Sequence, residues 1–120
     1  PLEKLLKKID ALYLFPDPVI MSEENFLKIK ERCAALNIPL FTYSEEFVKE
    51  GAFSSLSPNY ANIGSQSGTL ACKILLRNLS PESIPVQLPI GSYFAVNYSA
   101  AEKLKLNLVH LKNIANKVFY

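Results

Sequence analysis

Asp17 closes the apolar run Leu12-Tyr13-Leu14-Phe15 and stands between Pro16 and Pro18. Such a run reads as a strand. Ligands meet an open α/β sheet at the carboxyl ends of its strands, so a carboxylate there suits a cationic group on a ligand. Aspartate also caps turns and helix starts, which leaves a structural role open beside the binding one.

The other reactive residue types point away from catalysis. Gly64-Ser65-Gln66-Ser67-Gly68 has the outline of a nucleophile elbow, but Gln66 holds the position of the nucleophile, and the segment sits in a helical pattern rather than at a strand-to-helix turn. It also lacks the Gly-Lys-Ser/Thr ending of a phosphate loop. The single histidine, His110, would need every partner of a triad or metal site brought from elsewhere. Glu23-Glu24 and Glu45-Glu46 fall at helix starts, where the macrodipole favours carboxylates. Asn78-Leu79-Ser80 and Asn97-Tyr98-Ser99 match the glycosylation sequon, a pattern too short to carry an assignment. These residues describe a binding or structural module rather than a self-sufficient enzyme, with no cofactor and no metal expected.

The elements that must position Asp17 follow from periodicity. Leu2, Leu5, Leu6 and Ile9 recur at helical spacing, so the first residues read as the end of a helix feeding a strand. Ser22 caps a second helix whose stripe is Phe26, Ile29, Cys33 and Leu36, with Asn37 near its end. Ile38 to Tyr43 reads as a strand with Pro39 at its entrance, Ser44 to Gly51 as a short capped helix closed by glycine, and Ala52 to about Ser55 as a third strand. This alternation predicts an α/β fold with a parallel sheet.

From Tyr60 a long helix is expected, with Ile63, Leu70, Ile74 and Leu75 on its apolar side. Gly64, Ser65, Ser67, Gly68 and Ala71 keep its first half thin, which predicts close backbone packing there. Pro81, Pro85 and Pro89 mark extended connectors. Tyr93 to Asn97 reads as the last strand. Ser99 is expected to cap a short helix through Leu104, and Leu108, Leu111, Ile114, Ala115 and Val118 to form a final amphipathic helix.

A length of 120 residues with 49% hydrophobic content suits one folded domain's worth of core. Thirteen Lys and Arg against eleven Asp and Glu give a net charge of +2 with no basic stripe, which argues against nucleic acid as a partner. No apolar run approaches the roughly 20 residues that span a bilayer, and no signal peptide opens the chain. The start at Pro1 inside an amphipathic pattern reads as a chain cut from something longer. Cys33 and Cys72 both fall in helical apolar patterns, where free cysteine serves as a small core residue; a disulfide between them is left open.

Four segments together resemble the ABC-transporter solute-binding proteins of the type I periplasmic-binding-protein fold, in particular the subgroup linked to tryptophan and other aromatic amino acids. They are Asp10-Ala11-Leu12-Tyr13 through Asp17, Ile38-Pro39-Leu40-Phe41, Gly51 to Leu56 followed by Asn59 to Gly64, and Ile84-Pro85-Val86. A weaker tail, Val96 to Leu104, looks like the family's closing strand and helix. Pro18 and Ser44 depart from the pattern, where the family usually has a small polar residue and many members carry an acid.

The resemblance implies the carboxy-terminal part of a bacterial two-lobed binding protein, with a partial three-layer, Rossmann-like or flavodoxin-like lobe. On it, residues 1–56 are second-lobe core, 57–80 hold a hinge near Ser55 to Pro58 and a helix packed on the first lobe, and 81–120 are the return crossover, final strand and C-terminal helices. It further implies a small solute, such as an amino acid, trapped between lobes by hinge closure, and a membrane permease of the ABC type as partner. The expected location is periplasmic or otherwise extracytoplasmic, with a lipid anchor as an option. Asp17 then stands where the family holds a ligand-contacting aspartate, Thr42, Tyr43 and Ser44 face the same cleft, and Ser55, Ser57 and Tyr60 sit at the hinge. A ligand-sensing domain of the same fold coupled to a signalling output is the alternative. A piece of this kind, with an uncovered helix face and sheet edge, is expected to self-associate.

Overall fold

The computed structural model describes residues 1–18, 20 and 22–120, the side chain of Leu108 excepted. In chain order the elements are α1 (Leu2–Leu6), β1 (Leu12–Tyr13), α2 (Glu23–Ala35), β2 (Leu40–Thr42), α3 (Glu45–Lys49), β3 (Ser54–Pro58), α4 (Tyr60–Arg77), β4 (Ser92–Asn97), α5 (Tyr98–Lys103), α6 (Leu108–Ile114) and β5 (Lys117–Phe119), with a 3-10 turn at Pro81–Ser83. They group into two compact units, one of residues 1–57 and 94–120, the other of residues 58–93.

The first unit is built on a sheet in the order β1-β2-β3-β4-β5. β1 pairs with β2, β2 with β3 and β4 with β5 in parallel, with Leu12 opposite Leu40, Thr42 opposite Ser55 and Val96 opposite Val118. Successive strand residues point to opposite faces, and the core divides accordingly. Leu40 and Ala52 join Leu6, Leu14, Phe26 and Cys33 on the face covered by α1 and α2. Phe41 and Phe53 join Val96, Ala101, Leu111 and Val118 on the face covered by α5 and α6. The α/β reading of the alternating elements therefore holds, with helices on both faces of a mostly parallel sheet.

Local signals account for α2. Ser22 Oγ accepts the Asn25 N–H at 3.4 Å, Glu23 and Glu24 occupy the first turn, and the stripe Phe26, Ile29 and Cys33 faces the sheet. Asn37, at φ +54, turns the chain back toward β2. Gly51, at φ +106, closes α3 in the same way, a conformation that favours glycine.

Three expectations about the elements are corrected. β3 starts at Ser54, two residues later than read, and runs on to Pro58. The cap of α5 is Asn97, not Ser99: Asn97 Oδ1 accepts the Ala100 N–H at 2.9 Å, so the helix opens at Tyr98. The last helix stops at Ile114, and residues 117–119 form a strand instead. There Asn116 donates its N–H to Phe94 O and accepts the Phe94 N–H on Oδ1, both at 2.8 Å, which fastens the chain to β4 and sets β5 in register. Val118 keeps its apolar role, but on a strand.

In the second unit, Asn59 caps α4 through its Oδ1 on the Asn62 N–H, and Asn78, at φ +51, ends it. Residues 87–91 lie along this helix, held by amide side chains. Asn62 Nδ2 donates to Ile90 O at 3.1 Å, and Gln66 donates to Leu88 O while accepting the Ile90 N–H. Gly91, at φ +80, admits that approach, since a Cβ there would lie 2.8 Å from Asn62 Nδ2. Among the described residues a Cβ on Gly64 or Gly68 meets nothing within 4 Å, so the first-lobe partner expected for this thin face is not among them.

Candidate functional site

The carboxyl ends of β1, β2 and β3 share one edge of the first unit's sheet, because these strands are parallel and in register. β4 runs against β3. Phe53 O accepts the Asn97 N–H at one end of the pair, while Asn59 donates to Gly91 O at the other. Both strands that connect to residues 58–93 therefore leave the first unit at the edge where β1 to β3 end.

Asp17 lies at this edge, exposed, in the turn after β1. Its Oδ1 accepts the Ile20 N–H at 3.1 Å, so the turn-capping role is present. Ahead of Asp17 in the chain, Tyr13 and Phe15 stack edge to face with centroids 4.9 Å apart, and Phe15 remains 70% exposed. These open rings were not singled out from the sequence, where they read as strand interior; only the uncovered face of β1 shows them.

At the end of β2, Thr42 is fully buried and donates its hydroxyl to Ser44 O at 3.1 Å. It positions the turn into α3 rather than presenting a group at the edge. The half-buried Tyr43 ring rests 5.7 Å from Phe47, and Ser44 precedes α3 without a side-chain capping bond. On β3, Ser55 is 2% exposed, and its Oγ has no hydrogen-bond partner among the described residues. Ser57 is buried too, at the last residue of the first unit.

The structure thus gathers Asp17, Tyr43, Ser44, Ser55 and Ser57 at one edge of one unit. Tyr60, 72% exposed, opens α4 and belongs to the other unit. Asn116, which pins the start of β5 at the same edge, is a residue the sequence gave no reason to single out, because its partner Phe94 lies 22 residues away.

Among the described residues no group of three or more His, Cys, Asp or Glu could hold a metal ion, and no helix is long and apolar enough to cross a membrane. Cys33 and Cys72 are both free, one buried and one exposed. Burial pushes the Cys33 thiol up from its ordinary value.

The sequence profile of the ABC transporter substrate binding protein family matches residues 2–117. The chain belongs to this family. No curated protein matches it. Several solved structures do. With a TM-score of 0.80 and 24% identity, it is similar to the ligand-free, open form of a substrate binding protein with adhesive properties from Clostridium difficile, covering 98% of this chain and 39% of that one. A conserved domain protein from Vibrio cholerae aligns at 0.67 and 24% over 98% and 39%. The ABC domain from Streptococcus pneumoniae in complex with L-Trp aligns at 0.68 and 18% over 98% and 40%. At these identities the likeness is one of fold, and the chain spans about two fifths of the length of each relative.

Proposed function

We propose that this chain is part of the solute receptor of an ABC importer and takes an amino acid, with an aromatic one as the first choice. The observation that carries the reading is Asp17 at the carboxyl edge of the sheet, following in the chain on the exposed, mutually stacked rings of Tyr13 and Phe15. In this role Asp17 holds the α-ammonium by a charge-assisted hydrogen bond, the rings contact the apolar part of the solute, and Ser44 and Ser55 supply hydroxyls. The L-Trp carried by the Streptococcus pneumoniae relative supports the choice of solute.

On this reading the solute is trapped between two lobes, to one of which residues 1–57 and 94–120 belong, with the hinge near Ser55 to Pro58. The receptor acts outside the cytoplasm, hands its solute to a membrane permease and does no chemistry on it.

The test is a thermal-shift screen of the natural polypeptide that carries these residues, against amino acids, short peptides, sugars and nucleosides. A ligand at a hundred times its Kd stabilises the native state by about 2.7 kcal/mol, a shift easily read. A rise confined to amino acids is expected. A protein that melts at the same temperature with every solute would overturn the reading.

A further inference from the structure

At the edge opposite Asp17, over the entrances of β2 and β3, α2 and α5 leave between them a cavity of 270 Å³. A water occupies about 30 Å³ in the liquid, so the cavity has room for a ligand of about ten heavy atoms. Its floor is apolar. Cys33, Leu40 and Phe53 are 1%, 4% and 7% exposed, and burial keeps the Cys33 thiol neutral, a small hydrophobe. Asn97 on the wall has both ends of its amide committed, donating to Val48 O and accepting the Ala100 N–H, each at 2.9 Å.

The rim is cationic. Lys30 from α2 and Lys103 from α5 face it with one carboxylate, Glu31, and the neutral Asn37 and Ser99. Among the described residues neither lysine forms an ion pair. Lys30 is held in place: its Nζ donates to Glu50 O at 3.0 Å, and its stem runs past Gly51, where a Cβ would come within 3.3 Å of Lys30 Cδ. An ammonium has three N–H donors, so this bond leaves two for a ligand.

An apolar floor beneath a rim of two unpaired lysines against one carboxylate favours a molecule that is apolar at one end and anionic at the other. We propose that the cavity between α2 and α5 binds a small amphipathic carboxylate, with its apolar body on Cys33, Leu40 and Phe53 and its carboxylate between Lys30 and Lys103. The cavity shares no residue with the Asp17 edge, so this site stands whether or not the solute assignment does.

Octanoate is the probe, titrated into the natural polypeptide by calorimetry and followed by saturation-transfer NMR. One saturable site is expected, with hexanoate weaker by about tenfold for the two methylenes lost. Ala34→Phe, a substitution at an exposed helix position that lines the cavity, is expected to abolish binding. Lys103→Glu, on the exposed rim, is expected to weaken octanoate at least tenfold while leaving octan-1-ol unchanged. Asp17→Asn is expected to leave octanoate binding as it was. Absence of saturable binding at millimolar octanoate, indifference to Lys103→Glu, or binding that survives a folded Ala34→Phe variant would each overturn the proposal.

Discussion

Asp17 serves a turn and, in the proposed receptor, a ligand, and the two roles draw on different properties of the carboxylate. The turn needs only an oxygen for the Ile20 N–H, whereas an ammonium needs the charge. Asp17→Asn is therefore expected to keep the melting temperature and to weaken amino-acid binding at least about tenfold, while Asp17→Ala costs about 1 kcal/mol of stability as well. Melting curves beside calorimetric titration separate the two; full affinity in the Asn variant would remove Asp17 from the site. Asn97 is the residue with most to lose in the fold. It is 5% exposed and joins Val48 on α3 to the start of α5, so Asn97→Ala is expected to cost about 2–4 kcal/mol in urea denaturation. The Cys33 thiol gives a pH signature. Its folded pKa lies above the ordinary 9.0, so below that value it leaves stability unchanged. Above it the unfolded chain loses its proton first, and stability falls as pH rises. Cys33→Ala is expected to remove that alkaline loss, as read from melts between neutral and alkaline pH. Asp17, Ser22 and Gly51 were legible because each acts within a few residues of itself. Asn97 read as a strand end and part of a sequon but not as a structural anchor, since the carbonyl that fixes it is 49 residues away.

Among the elements, helices with a stripe and a cap were readable, and α2 and α4 stand within a residue or two of expectation. β5 was not. Leu111, Ile114, Ala115 and Val118 satisfy a helical period, and nothing local ends it. The strand exists because Asn116 fastens to Phe94 and Val118 finds Val96 opposite. The thin half of α4 poses the converse problem. Gly64 and Gly68 suggested close packing, yet the space beside both is open. In the 120-residue chain, Gly64→Ala and Gly68→Ala are each expected to stabilise α4 by about 0.5–1 kcal/mol, measured by thermal or chemical melts. Destabilisation instead would show that something covers this face in solution.

At the scale of the whole molecule, the two units are built differently. The first has an apolar cluster on each face of its sheet, whereas none of the described residues of α4 is buried. Leu75, Leu76, Val86 and Leu88 are between 75% and 99% exposed. Large apolar side chains left in water drive association, so the 120-residue chain is expected to sediment as a dimer or larger species with a concentration-dependent mass. A monomer at every concentration refutes this. Backbone amides in α4 are also expected to exchange faster with solvent than those of β2 and β3, because fewer buried contacts oppose local opening. The sequence by itself determined the α/β alternation, the first three strands, the Ser22 cap of α2, the glycine that closes α3, the extent of α4, and Asp17 as a strand-end carboxylate. Each of these is a matter of spacing and local hydrogen bonding. Tertiary structure alone decided that β5 joins β4, that Thr42 spends its hydroxyl on a turn while Ser55 finds no partner for its own among the described residues, that Tyr13 and Phe15 stand open ahead of Asp17, and that a cavity opens between α2 and α5. Those outcomes depend on which surfaces meet across tens of residues, and burial is a property of the packed chain rather than of any stretch of it.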